Sequence, residues 1–346
     1  MAKTGVLLIA FGGPDCLEAV EPFMCNVMGR TPSPETVQSV WRKYLTIGGA
    51  SPLPFIAESI ASALERRLNG LPSPEAPSPG EEQGMGALTA SSSRAVEGVD
   101  VPVVVGMLHW RPSIAAAVDS LKDRGVERVV WTSLSPFESS VTSGAYRAAV
   151  TAACDAAGLK AVEGDRYHDA PALVSLLSDA CAAAVGELPE HKPAVVFTAH
   201  SLPAEEAGDD PYVTQLEALA TEVAGATGLG DPDAVALESA LGIRAHGGPG
   251  KTAPWLLAYQ SQGAKPGSWL GPTLDDVIDA AQAHGVDSLV VCPIGFVTDH
   301  LETLWDLDVD AADKVLSRDM EFARAKAPND DPALIGVLAD AVSRHL

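Results

Sequence analysis

Six short apolar runs punctuate the chain, at 4–11, 101–108, 126–133, 193–199, 255–260 and 288–293, the last of them rich in β-branched residues. After each comes a stretch with helical spacing or a helix-capping residue. Runs without polar alternation are strands covered on both faces, and the helices between them supply the crossovers that parallel strands require. The chain therefore reads as α/β, built on parallel sheets with helices on either side. Its 346 residues and two successive series of strands predict two such sheets, each doubly wound. In that architecture ligands lie beyond the carboxyl ends of the strands. Phe11, His109, His200, Gln260 and Phe296 all fall at such ends.

The helical stretches are 18–28, 33–45, 53–68, 113–123, 143–157, 170–185, 211–227, 274–284 and 331–345. Between the third of these and the second strand, residues 71–99 turn to Pro, Gly, Ser, Ala and Glu. With almost nothing to bury, this insert is expected to be a mobile excursion without functional residues. The GGPGKT stretch at 247–252 has the look of a phosphate loop, but Ala245 stands where the pattern needs glycine and Pro254 disfavours the helix that should follow.

The densest chemistry lies at 286–310. A buried strand is broken by Gly295, Thr298 or Asp299 can cap the next helix, and Glu302, Asp306 and Asp310 recur every four residues on one helix face. Like charges at that spacing repel, so the arrangement gives an isolated helix nothing. Two readings stand: a solvated acidic face, or a ladder that handles a cation. A lone histidine directly after an apolar strand, as His200 is, is more often a hydrogen-bonded structural residue, an order reversed if it faces the acidic ladder, where it could ligate a metal or accept a proton. Ser201 beside it invites a hydrolase reading, but no G-x-S-x-G elbow is present.

Composition narrows the partners. The chain has 23 basic and 46 acidic residues, a net charge of −23, which disfavours nucleic acid and anionic membrane surfaces. Five scattered cysteines without a C-x-x-C pair favour free thiols in a reducing compartment. No stretch approaches the length of a spanning helix and no secretory signal is evident, so a cytoplasmic location is expected.

The segments FGGP at 11–14, TAHSLP at 198–203, QS at 260–261 with WLGP at 269–272, and PIGFVTDHLETLWDLD at 293–308 together resemble the ferrochelatase family, in order and spacing, over nearly the whole chain. The resemblance implies the chelatase fold: two similar Rossmann-like doubly wound domains, each with a central parallel sheet, and a porphyrin cleft between them. The expected division is 1–165, 166–325, and a C-terminal helix within 326–346 packing back on the first domain. It implies insertion of Fe(II) into a porphyrin with release of two protons, in haem biosynthesis.

Carried over position by position, His200 and Glu302 are the catalytic pair. His200, Glu302, Asp306, Asp310 and His109 are the metal-handling set. Phe11, Arg30, Lys43, Ser51, Tyr259, Ser261, Trp269, Phe296, Asp299 and His300 line the porphyrin site. Arg30 and Lys43 remain as partners for propionates, where Val27 and Met28 replace basic residues common in the family. Phe11 replaces a frequent tyrosine, which rules out an axial ligand from that position, and Tyr259 replaces a frequent tryptophan. Fe(II) is a substrate, no cofactor is expected to be permanently bound, and the C-terminus lacks the cysteines of a [2Fe–2S] centre. Expected partners are the porphyrin, ferrous iron and transient haem-pathway proteins. The short lip between Cys25 and Pro34 favours coproporphyrin III, with protoporphyrin IX as the alternative. Competing functions are a related cobalt or sirohydrochlorin chelatase and a non-catalytic haem or metal carrier.

Overall fold

The computed structural model describes residues 3–72, 100–190, 193–207, 210–229, 255–263 and 266–346. The 73–99 part of the insert and the GGPGKT stretch lie outside the described residues. In chain order the elements are β1 (Thr4–Ala10), a 3-10 turn (Leu17–Ala19), α1 (Val20–Met28), α2 (Pro34–Thr46), α3 (Leu53–Leu68), β2 (Val103–Met107), α4 (Ile114–Asp123), β3 (Arg128–Ser133), α5 (Ser143–Ala157), β4 (Lys160–Glu163) and α6 (Pro171–Gly186). There follow β5 (Ala194–His200), α7 (Ala204–Ala207), α8 (Pro211–Thr227), β6 (Trp255–Gln260), α9 (Leu274–Ala283), β7 (Ser288–Cys292), α10 (Leu301–Leu304), a π-helical turn (Asp306–Ala311), α11 (Ala312–Leu316), β8 (Glu321–Arg324) and α12 (Pro332–Ser343).

Two four-stranded sheets result, in the orders β2-β1-β3-β4 and β6-β5-β7-β8, and every neighbouring pair is parallel. The order reverses at β1 and at β5, which makes the carboxyl ends of those strands the switch points where a ligand crevice opens. The central strands are sealed on both faces: all seven residues of β1 and all five of β7 are buried. That is why they read as unbroken apolar runs rather than as alternating ones.

One apolar core spans both sheets. Val6 and Leu8 of β1, Val195 and Phe197 of β5, Ile60 and Leu64 of α3, Leu173 of α6, Leu216 of α8 and Leu338 of α12 belong to it. The opposite face of the first sheet is covered by α4 and α5, and that of the second by α9, the π turn and α11. α12 packs against α3 and α6, and its far end is tied down where Asp165 N–H donates to the Ala341 carbonyl at 2.9 Å. α1 and α2 form a lip with a small core of its own, Val20, Met24 and Tyr44, on which Leu301 rests. Among the described residues no helix is long and apolar enough to cross a membrane.

Three elements differ from the sequence reading. β4 and β8 are edge strands of four residues, too short and too polar to register as apolar runs. The acidic helix is not one α-helix. Its N-cap is His300, not Thr298 or Asp299, and after one turn it widens into the π segment, where Asp310 N–H reaches the Trp305 carbonyl five residues back at 2.9 Å.

Candidate active site

His200 is the last residue of β5, and its Nε2 lies 3.4 Å from Glu302 Oε1. Glu302 comes from the helix that follows β7, so two neighbouring strands deliver the pair. Gly295 makes this approach geometrically feasible: a Cβ there would lie 2.5 Å from that of Ala199, so only glycine lets the chain leaving β7 hug the end of β5. About a third of each side chain is exposed, 32% for His200 and 35% for Glu302, so the pair faces an opening while its backbone is rooted in the sheet.

The tautomer of His200 follows from its neighbours. Nδ1 lies 2.5 Å from the Ser201 carbonyl, which can only accept, so Nδ1 carries the hydrogen. In the neutral ring Nε2 is then a lone pair aimed at Glu302 and the opening. Burial pushes the imidazole down, but the Glu302 carboxylate, the Ser201 carbonyl and Asp306 together outweigh it and the net shift is upward. For Glu302 burial pushes upward, and His200, His300 and Lys43 together bring the carboxyl down to about 2. Asp306 goes the other way: burial raises it, against the Ser261 hydroxyl and Lys43. Two carboxylates four residues apart are thus shifted in opposite directions by their surroundings.

Both members of the pair are also held through their backbone. The Tyr212 hydroxyl donates to the His200 carbonyl at 2.9 Å, and the Gln260 amide donates to the Glu302 carbonyl at 2.7 Å. Tyr212 is itself clamped by Phe137, edge-on with ring centroids 5.7 Å apart. Gln260, only 5% exposed, keeps its Oε1 without a partner among the described residues. The sequence reading placed Gln260 at a strand end without a task and did not single out Tyr212. The signal was available in that Tyr212 opens the helix following the His-Ser-Leu-Pro turn and Gln260 ends a buried strand.

The remaining predicted residues divide. Ser261, left-handed at φ 60°, donates to Asp306 Oδ2 at 2.5 Å. Lys43 reaches Asp306 Oδ1 at 3.2 Å from the lip, with its Nζ 3.7 Å above the centre of the Trp305 ring. Phe296 stands edge-on to His300 with centroids 4.8 Å apart, and His300 Nδ1 accepts from the Glu302 N–H at 3.1 Å. His300 therefore orients the helix start, and its burial keeps the ring below its ordinary pKa. Trp269 lies against the His-Ser-Leu-Pro turn, bridged to Pro203. Arg30 is exposed just past the end of α1, and Phe11 is 40% exposed beside His109, with centroids 4.7 Å apart.

Three assignments to the porphyrin surface do not fit where the side chains lie. Ser51 is 1% exposed and wedged under Gly13, where it accepts from the Leu53 N–H, so it shapes the Gly-Gly-Pro turn. Tyr259, 4% exposed, is part of the core. Asp299 is spent on Asn329, Thr303 and Arg324, at 2.8, 3.0 and 3.3 Å, and braces the loop before the helix.

The metal-handling set is likewise not one coordination sphere: among the described residues no group of three or more His, Cys, Asp or Glu could hold a metal ion together. Asp310 is paired with Lys314 at 2.8 Å, and His109 sits in the aromatic group with Phe11. What the arrangement offers is an imidazole base beside a carboxylate, with Asp306 and Asp310 following in the π turn.

The comparisons with known proteins point the same way. A family model described as ferrochelatase matches residues 3–346. The ferrochelatase of Deinococcus radiodurans is 30% identical over 98% of this chain and 95% of its own length. The coproporphyrin III ferrochelatases of Mycolicibacterium vanbaalenii and Propionibacterium freudenreichii are 30% and 33% identical, each over 99% of this chain, and over 90% and 87% of their own lengths. Among solved structures, SirB from Bacillus subtilis with Fe3+ shares the fold at a TM-score of 0.52 and 8% identity, covering 99% of this chain and 95% of SirB. The family model over residues 3–346 and relatives matched nearly end to end place the chain in the ferrochelatase family, the lyases that insert Fe(II) into a porphyrin.

Proposed function

We propose that this chain inserts Fe(II) into coproporphyrin III, with His200 taking the pyrrole protons and Glu302 supporting the imidazolium that forms. In the reaction two N–H bonds break, four Fe–N bonds form and two protons leave, so the site must accept protons while a dication enters. The observation that carries the reading is the His200–Glu302 pair: Nε2 is the free lone pair of a ring whose Nδ1–H is already committed, 3.4 Å from an ionised carboxylate. A base so placed takes one proton at a time and releases it to solvent, while Glu302 stays ionised beside it. Asp306 and Asp310 then offer Fe(II) successive oxygens on its way inward, replacing its water stepwise.

A planar porphyrin presents its N–H groups inward, so the cleft must favour a bent ring; each ~1.4 kcal/mol of that preference is worth tenfold in rate. Phe11, Phe296 and Trp269 supply flat apolar contact for the macrocycle, and Arg30 and Lys43 supply cations for its carboxylates. The two sheets support a division near residue 165, with the helix within 326–346 returning to the first half. Coproporphyrin III is favoured because several relatives bear that name and because the lip, closed by the short 29–33 link between α1 and α2, is compact. The chemistry needs no permanently bound cofactor, and nothing in it requires a membrane.

The test is anaerobic metallation of coproporphyrin III and protoporphyrin IX by wild type, His200→Ala and Glu302→Gln. We expect metallation of coproporphyrin III, and a loss of about 10²–10⁴-fold in kcat for His200→Ala. Wild type that binds porphyrin without inserting iron, or a His200→Ala variant as fast as wild type, would overturn the assignment.

A further inference from the structure

Asp306 has no free oxygen. Oδ2 accepts from the Ser261 hydroxyl at 2.5 Å, and Oδ1 is held by Lys43 at 3.2 Å. The lysine comes from α2 on the lip, 263 residues earlier in the chain, and its ammonium is caged between the carboxylate and the face of Trp305, 3.7 Å from the ring centre. An Fe(II) ion moving along the acidic helix meets a resident cation at this rung. An ammonium at contact distance repels a dication seeking the same carboxylate, so the rung binds metal best once Lys43 has left.

The outer rung differs in one respect. Lys314 holds Asp310 at 2.8 Å but also Asp275 at 2.7 Å, so it has a second carboxylate to stay with when Asp310 is taken. Lys43 makes no second ion pair among the described residues, Glu302 feeling its charge without contact, and its side chain is 30% exposed. Whatever draws it off must bring an anion of its own.

We propose that Lys43 is a mobile counter-ion: it holds Asp306 while the cleft is empty, and exchanges that partner for a carboxylate of the arriving porphyrin, so that porphyrin binding opens the metal path. The proposal rests on the functional reading above and adds an order of events to it. Metal alone meets a blocked rung. Metal after porphyrin meets an open one. By linkage, whatever factor the porphyrin adds to metal affinity, the metal adds to porphyrin affinity.

Calorimetric titration with Co(II) tests this on wild type, Lys43→Met and Lys43→Arg. Met keeps the stem over Trp305 and drops the charge, and Lys43→Gln serves if Met disturbs the lip. Each protein is titrated alone, with nickel coproporphyrin III (its centre already filled, so no insertion occurs), and with the tetramethyl ester of that complex. For wild type we expect the tetra-acid, and not the ester, to tighten Co(II) binding about tenfold. Lys43→Met is expected to bind Co(II) about tenfold more tightly than wild type without porphyrin, and to gain nothing from it. Lys43→Arg should retain the wild-type coupling.

Equal Co(II) affinity of wild type and Lys43→Met in the empty protein overturns the proposal, as does coupling that survives in Lys43→Met. The titrations involve no insertion, so failure of wild type to metallate porphyrin in the assay above would remove the functional reading while leaving this result to be judged by itself.

Discussion

In the first sheet Ala10 pairs with Met107, and Met107 N–H donates to the Pro112 carbonyl at 2.8 Å; in the second Ala199 pairs with Tyr259, and Tyr259 N–H donates to the Pro272 carbonyl at 2.8 Å. This shared hook aligns the two halves residue by residue. Phe11 then falls opposite His200, and Pro14 opposite Pro203. The same topology ends its central strand in an apolar ring on one side and in an imidazole on the other. Around Phe11 stand Phe23 and His109, and Trp110 packs against Phe23. Around His200 stand Glu302, Ser201 and Tyr212. The difference teaches that the fold provides a place and not a chemistry: the backbone puts something at each switch point, and the side chain there, an apolar ring or a titratable one, decides what it can offer.

If that division of labour holds, similar substitutions at strand ends of the two halves fail in different ways. The largest contrast is between two tyrosines. Tyr212 donates to the His200 carbonyl at 2.9 Å, while Tyr167 donates to the Ser133 carbonyl at 2.7 Å, at the end of β3 in the first sheet. Either Tyr→Phe change strands a carbonyl and costs about 1–3 kcal/mol of stability. Only Tyr212→Phe should also lower kcat, by about tenfold, because a shift of roughly half an ångström at His200 is felt by the reacting pair. Equal kcat in the two variants would show that His200 is fixed without Tyr212.

A smaller effect is expected at Phe11. Removing the ring with Phe11→Ala should raise KM for the porphyrin severalfold and leave kcat nearly unchanged, the signature of lost ground-state contact. A fall in kcat as deep as that of His200→Ala would mean that the first half takes part in the chemistry.

The smallest effect is on stability against pH. His200 is raised by its pairing, so its contribution is full below its ordinary value of 6.5 and is lost as pH climbs through the raised value. Glu302 is lowered to about 2, so its contribution is full above its ordinary 4.5 and is lost as pH falls toward 2. The pair therefore contributes most between pH 4.5 and 6.5. Thermal melts of wild type and Glu302→Gln should differ most in favour of wild type inside that window and converge outside it, by a few degrees at most for two groups a third exposed. A difference that grows steadily above pH 6.5 would contradict the raised histidine.

The central strands were legible because burial on both faces writes a continuous apolar run, as in β1 and β7. The edge strands β4 and β8 were not, because an edge carries polar residues and borrows its geometry from its neighbour. Motif residues told which strand ends matter, and His200, Glu302, Ser261 and Lys43 came together in space. Ser51, Tyr259 and Asp299 were misplaced for a shared reason: resemblance names a position, while only packing tells which way its side chain points. Ser51 lies under Gly13, and Asp299 had three partners waiting in later or adjacent segments. His300 as a cap is not written in the usual capping residues.

The π turn at Asp306–Ala311 sets a different kind of constraint on this lineage. A turn closed by i→i+5 bonds holds one residue more than its α counterpart, so the phase between Glu302 and Asp310 depends on a count and not on any letter of the sequence. Loss of a single residue there would turn everything downstream by about 100° and swing Asp310 away from its rung, although every carboxylate would still be present. Drift by substitution is open to this helix; drift by length is not.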